Sequence, residues 1–134
     1  MRIVLDTNIV LVMISKRSPF RWVFDAFLDG KYTLCVTTDI LAEYAEIVEN
    51  HIGAVAAQDF LAIIEEAENV VFVTKYFHWH LIKADPDDDK FVDCAVACNA
   101  NFIVSEDKHF RVLKQIDFPK INVLTLKEFE NWIK

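Results

Sequence analysis

The sequence predicts an α/β fold with three layers, in which helices cover both faces of a five-stranded parallel sheet. Short apolar segments alternate with amphipathic helical segments along the whole chain. The first of them, Ile3-Val4-Leu5, has no polar alternation, which is typical of a strand buried on both faces. The length of 134 residues and the hydrophobic content of 54% suit one well-filled core. We therefore expect a single domain over residues 1–134.

Turn signals divide the first half of the chain into predicted strands and helices. The predicted strands are residues 3–5, 32–37 and 70–73. Apolar stripes at helical spacing predict helices at 20–28, 40–52 and 55–68, after a short helix or loop at 9–14. Gly30 and Gly53 end two of these segments, and Thr38 and Asp39 are the expected N-cap pair of the helix at 40–52.

The second half repeats the alternation after an aromatic-rich stretch at 76–84. Asp85 and Asp87 flank Pro86 and mark a turn and a helix start, because acidic residues suit the first turn of a helix. The predicted helices run from there to about 99, through a short segment ending at 114, and from Thr125, which caps the last helix, to 133. The predicted strands are 101–105 and 121–124.

The charge and the apolar pattern limit the classes of function. The net charge of −7 has the wrong sign for phosphate contact, so either the acids hold metal cations or the protein does not bind nucleic acid. No apolar run approaches the length of a membrane span, and the opening residues do not resemble a signal peptide. The three cysteines lie in apolar surroundings, as expected of buried thiols in a reducing compartment. We expect a cytoplasmic protein without a membrane partner.

Acidic residues recur where a parallel sheet collects its ligands. Asp6 follows the first strand, Asp107 follows the fourth, and Glu43 lies one turn inside the helix after the second. The helix that leads into the fourth strand adds Asp88, Asp89 and Asp93 to these acids. Several carboxylates at one place cannot all ionise unless a cation lies between them, and oxygen ligands favour Mg²⁺ or Mn²⁺ over zinc.

The chain resembles the PIN-domain ribonucleases, close to the VapC-like toxin branch. Four segments carry the resemblance: Ile-Val-Leu-Asp-Thr-Asn with Asp6, Thr-Thr-Asp-Ile-Leu-Ala-Glu-Tyr with Glu43, Asp-Pro-Asp-Asp-Asp-Lys-Phe-Val-Asp-Cys-Ala from Asp85, and Asn-Phe-Ile-Val-Ser-Glu-Asp ending at Asp107. The resemblance implies a five-stranded parallel sheet, metal-dependent cleavage of RNA and a neutralising antitoxin partner. This sequence differs from the family pattern at Glu106, a position where the family often has a glycine.

The resemblance also assigns residues to roles. It implies an acidic catalytic quartet of Asp6, Glu43, Asp89 and Asp107. We expect these four and Asp93 to bind the metal. We expect four further residues either to hydrogen-bond those ligands or to serve only as turn and cap residues; they are Thr7, Asn8, Ser105 and Asp88. On the helix we expect Asp89 to matter most, Asp93 less and Asp88 least, because Val92 and Val96 must pack on the sheet.

Other functions and features remain open at this point. A catalytically silent PIN-like binding module and a receiver-type phosphoacceptor domain share the same kind of fold. Lys108, Arg111 and Lys114 recur every three residues and either contact an RNA backbone or form a solvated face. His78 and His80 alternate, but without a third ligand nearby in sequence they do not predict a zinc site. The three tryptophans suggest a partner surface, for a homodimer or an antitoxin.

Overall fold

A single five-stranded parallel sheet forms the centre of the fold. The computed structural model describes residues 1–74, 78–82 and 86–134. The strands are β1 Arg2–Leu5, β2 Thr33–Val36, β3 Val70–Phe72, β4 Phe102–Val104 and β5 Val123–Leu124. Their order across the sheet is β3-β2-β1-β4-β5, and every neighbouring pair is parallel. The predicted α/β class with five parallel strands is confirmed. A receiver-type domain is excluded, because that fold has the strand order 2-1-3-4-5.

Helices connect the parallel strands. They are α1 Thr7–Met13, α2 Arg21–Leu28, α3 Thr38–His51, α4 Ala54–Glu66, α5 Asp89–Ala97 and α6 Leu126–Ile133. The 3-10 segment Pro86–Asp88 precedes α5, and the 3-10 segment Lys108–Gln115 follows β4. Among the described residues no helix is long and apolar enough to cross a membrane.

The central strand explains the position of the acidic residues. Ile3, Val4 and Leu5 of β1 are fully buried, and Ile3 pairs with residues of β2 on one side and β4 on the other. All strands are parallel, so their carboxyl ends lie at one edge of the sheet. Whatever follows β1, β2 and β4 in the sequence is therefore brought to the same edge.

Several element boundaries differ from the sequence expectations. The N-cap of α3 is Thr37, whose side chain accepts a hydrogen bond from Ile40 N, and not the pair Thr38-Asp39. Thr37 has extended backbone angles, whereas Thr38 is already helical. α1 begins at Thr7, directly after Asp6, rather than at residue 9. Thr125 caps α6 as expected, in a capping box with Glu128.

The segment before α5 also differs. The predicted helix start at Asp85 lies outside the described residues. The α-helix proper begins only at Asp89, because Pro86–Asp88 forms a 3-10 turn. Cys35, Cys94 and Cys98 are buried free thiols, as predicted.

Candidate active site

The ends of β1 and β4 are joined through a serine hydroxyl. Asp6 follows β1, and its backbone N–H donates to Val104 O over 3.1 Å. Ser105, directly after β4, donates its hydroxyl hydrogen to Asp6 Oδ2 over 2.8 Å. The same hydroxyl oxygen accepts from Asp107 N over 2.9 Å. Ser105 therefore fixes the distance between the two acids that follow these strands.

The Asp6 carboxyl lies in an unfavourable place for a negative charge. Its exposed fraction is 5%, and burial raises its pKa above the ordinary value. Hydrogen bonds from Ser105 and from the backbone of Thr7 lower this pKa, whereas the negative charges of Asp107 and Glu43 raise it further. The three acids are thus close enough to repel one another, which is the condition that a bound cation would relieve.

Two side chains hold Glu43 from opposite sides. The hydroxyl of Thr7, in the first turn of α1, donates to Glu43 Oε2. Lys90 Nζ lies 2.7 Å from Glu43 Oε1 and also donates to the carbonyl of Asp87 over 2.9 Å. Sequence analysis did not identify Lys90, and the only available signal was a lone lysine directly after an acidic run. Glu43 therefore has a fixed orientation at the edge of the site.

A second group of ligand atoms lies at Asp107. His109 Nδ1 is 3.4 Å from Asp107 Oδ1 and 3.5 Å from Asp88 Oδ2. Ligand atoms of these three residues all lie within 4.8 Å of one another. Two carboxylates and an imidazole are a donor set that fits a divalent cation. The residues present therefore suit a metal ion, and Asp88 and His109 are the members that the quartet of the sequence analysis lacked.

Asp89 and Asp93 bind a neighbouring segment of the chain. Asp89 Oδ1 accepts from Ile82 N over 2.8 Å, and Asp93 Oδ1 accepts from Trp79 N over 3.0 Å. His80 and His78 lie 3.7 and 3.4 Å from the second oxygens of Asp89 and Asp93. Each of these two acids therefore has one oxygen bound to a backbone N–H and the other near an imidazole, and their predicted role as metal ligands stays a prediction.

The local backbone determines the surroundings of these acids. α5 is largely buried, and the backbone N–H groups of Trp79 and Ile82 contact its two acids Asp93 and Asp89. Asp88 belongs to the preceding 3-10 turn, so the 100° step of an α-helix does not give its direction. The helical phase argument of the sequence analysis therefore does not apply to Asp88.

Asn8 and Glu106 lie outside this group of ligand atoms. Asn8 is exposed in the first turn of α1. Glu106 Oε1 accepts a hydrogen bond from Leu126 N over 2.8 Å, so this carboxylate serves the start of α6. A pocket of about 260 Å³ beside the cluster is lined by Asp39, His78, His80, Asp87, Asp89, Lys90 and Asp93.

Comparison with known proteins gives a family match. A family model described as "PIN domain" matches residues 2–109. No curated protein sequence matches the chain.

Three solved structures are similar in fold. VapBC2 from Rickettsia felis, bound to a DNA fragment from its promoter, has a TM-score of 0.63 at 19% identity, over 93% of this chain and 98% of that one. VapC20 from Mycobacterium tuberculosis, a sarcin-ricin loop cleaving toxin, has a TM-score of 0.56 at 13% identity, over 81% and 92%. The RRP44 PIN domain from T. brucei has a TM-score of 0.50 at 14% identity, over 97% and 77%.

Proposed function

The chain belongs to the PIN domain family, and from this we propose that it is a metal-dependent endoribonuclease and the toxin of a toxin–antitoxin pair. The observation that carries the proposal is the convergence of Asp6, Glu43, Asp88 and Asp107 at the carboxyl edge of the sheet. The hydroxyl of Ser105 links Asp6 to the backbone of Asp107. His109 links Asp107 to Asp88.

The residues of the site would have different roles in phosphodiester hydrolysis. A bound Mg²⁺ or Mn²⁺ would orient the scissile phosphate and lower the pKa of an attacking water. Asp6, Asp88 and Asp107 would hold the cation, and Ser105 would keep the first and last of them at a fixed separation. Glu43, oriented by Thr7 and Lys90, stands ready as a further ligand or as the base that accepts a proton.

A row of cations supports an RNA substrate in spite of the net charge of −7. Lys108, Arg111 and Lys114 are all exposed and lie on the 3-10 helix that begins directly after Asp107. Side chains three residues apart lie on the same side of a 3-10 helix, so the three form one row. Such a row would contact the phosphates of a strand whose scissile bond lies at the acids.

The similar structures support the biological setting. VapC20 is described as a sarcin-ricin loop cleaving toxin, and VapBC2 is bound to a DNA fragment from its promoter. We propose that the protein has an antitoxin partner, a cytoplasmic location and an active domain over residues 1–134. We also propose a homodimer, since Trp132 is 55% exposed beside Phe102 at the edge of the fold. Light scattering at high protein concentration tests the dimer.

A cleavage assay tests the catalytic proposal. Purified protein is incubated with structured and single-stranded RNA in Mn²⁺, in Mg²⁺ and in chelator, and the Asp107→Asn variant is run beside it. We expect cleavage only with a metal ion, and a loss of at least about a hundredfold in the variant, the scale of one lost metal interaction. Asp59→Asn on the exposed side of α4 is the matched control and should cleave normally. Equal cleavage in chelator and in metal would refute the mechanism.

One observation favours a second candidate, a binding module without catalysis. Lys90 places its ammonium 2.7 Å from Glu43, where it supplies a positive charge to the site without any metal. A silent module would bind RNA equally well with and without chelator and would cleave none. The assay above distinguishes the two functions.

A further inference from the structure

His109 brings a nitrogen atom into a site otherwise built from carboxylate oxygens. Its Nδ1 lies 3.4 Å from Asp107 Oδ1 and 3.5 Å from Asp88 Oδ2. The residue is anchored through its backbone, because His109 N donates to Asp107 Oδ1 over 2.9 Å. Its side chain is 32% exposed, so the ring had room to turn toward solvent, yet the nitrogen faces the two acids.

The spacing of these atoms matches that of neighbouring ligands around one ion. Ligands bound at about 2.1 Å in octahedral geometry are about 3 Å apart. The two separations from His109 Nδ1, 3.4 and 3.5 Å, are only slightly longer than this, and the ligand atoms of all three residues lie within 4.8 Å of one another. Closing onto a cation would therefore require only small movements of the imidazole relative to each of the two carboxylates.

The donor set affects which ion is preferred. Mg²⁺ selects oxygen ligands and keeps several waters, whereas imidazole nitrogen is a ligand typical of transition metals. A site with two carboxylates and one imidazole thus gives a transition-metal ion a bond that Mg²⁺ uses poorly. Replacing the imidazole with an oxygen donor should remove that difference.

We propose that His109 is a direct ligand of the metal ion and makes the site prefer a first-row transition-metal ion such as Mn²⁺ over Mg²⁺. This inference rests on the proposed function, which supplies the metal. The same contacts would suit a protonated imidazole that merely neutralises Asp88 and Asp107. The two arrangements differ in one respect: only a ligand couples its nitrogen to the bound ion.

Electron paramagnetic resonance of bound Mn²⁺ measures that coupling directly. The samples are the wild type, His109→Gln, His109→Asp and the matched control His51→Gln, whose imidazole lies at the end of α3 and contacts Ile47 O. Circular dichroism confirms that each variant is folded. We expect nitrogen coupling in the wild type and in the control, and none in the two His109 variants.

Metal titrations give a second readout. We expect His109→Gln to weaken Mn²⁺ binding at least about tenfold, the scale of a lost group at a metal site, and to change Mg²⁺ binding far less. His109→Asp should bring the two affinities closer together. Affinities for both ions that are unchanged in His109→Gln would overturn the proposal.

The outcomes also separate this inference from the proposed function. Mn²⁺ that binds the wild type without nitrogen coupling, and that is lost in Asp107→Asn, would overturn the role of His109 and leave the metal-dependent nuclease standing. No Mn²⁺ binding by the wild type at millimolar concentration would overturn both.

Discussion

At Asp6, burial and charge oppose each other. Its pKa is raised in the folded protein above the value of 3.8 of the free group, mainly by burial. The folded state therefore holds this proton more tightly than the unfolded state does. The stabilising contribution of the protonated form is present below pH 3.8 and is lost as the pH rises through the folded pKa.

The first prediction follows from the raised pKa of the Asp6 carboxyl. Without metal at pH 7, Asp6→Asn should melt higher than the wild type, by on the order of a few degrees, because a buried charge is removed. The difference should shrink toward zero in acid, where the wild-type carboxyl is neutral as well. Thermal melts at pH 7 and below pH 3.8 measure it, with Asp59→Asn as the exposed control. A lower melting temperature at pH 7 would mean that Asp6 stabilises the metal-free fold as an anion.

A second prediction at this scale compares two adjacent acids. Asp88 lies beside His109 and Asp107, whereas Asp89 binds Ile82 N. Asp88→Asn should therefore lower the cleavage rate by about a hundredfold or more with little effect on folding. Asp89→Ala should cost about 1–3 kcal/mol of stability, because it leaves the Ile82 N–H without its acceptor.

Cleavage rates and urea unfolding of both variants separate the two roles. Full activity in Asp88→Asn with a dead but stable Asp89 variant would reverse the assignment.

The sequence predicts part of this site for a simple reason. Parallel strands bring their carboxyl ends to one edge, so the juxtaposition of Asp6, Glu43 and Asp107 follows from strand order alone. The sequence places Asp88 among the residues that support the ligands, but its position beside His109 and Asp107 could not be predicted, since it depends on the 3-10 turn before α5. His109 and Lys90 could not be predicted either, because their contacts with Asp88 and Glu43 join residues that are distant in sequence, and single residues carry no periodic signal.

At the scale of elements, the 3-10 helix Lys108–Gln115 gives the site its basic border. Three exposed basic residues at intervals of three form a row along its side. With a rise of about 2.0 Å per residue, the row extends about 12 Å from its first to its last member. This length matches a few nucleotides of backbone rather than a whole duplex face.

We predict that Arg111→Ala weakens RNA binding at low salt and reduces the salt dependence of binding. The slope of log affinity against log salt should fall by about 0.7, the value for one phosphate contact on a single strand. Fluorescence anisotropy with labelled RNA measures this in the Asp6→Asn background, which prevents cleavage. Lys127→Ala, an exposed cation on α6, is the control and should leave the slope unchanged.

Helix ends show what sequence reasoning can and cannot assign. The N-terminal cap of α6 can be predicted from Thr125 and Glu128, because both partners of the capping box lie within one turn. The contribution of Glu106 to the same helix cannot be predicted from sequence, since the residue whose N–H it accepts, Leu126, lies 20 positions further along the chain. The extra acid before Asp107 therefore supports a helix start, and its carboxylate is occupied there.

At the scale of the whole molecule, the acids Asp6, Glu43 and Asp107 meet at one edge of the sheet. Repulsion among the Asp6, Glu43 and Asp107 carboxylates destabilises the folded state, and a bound cation would relieve this repulsion. Mn²⁺ should therefore raise the melting temperature. At a free concentration one hundred times the dissociation constant, we expect about 2.7 kcal/mol of added stability.

Differential scanning fluorimetry with increasing Mn²⁺ measures this stabilisation, and Asp107→Asn should reduce it. A wild-type melting curve that millimolar Mn²⁺ leaves in place would show that the acids do not form a shared cation site.

The Ser105 hydroxyl has one further consequence, for spectroscopy. The Asp107 N–H can only donate, so the single hydroxyl proton of Ser105 must point at Asp6. The direction of both bonds is thereby fixed, and each bond polarises the next. The amide proton of Asp107 is therefore a natural nuclear magnetic resonance reporter on Asp6, whose chemical shift should move when Asp6 gains a proton or a cation.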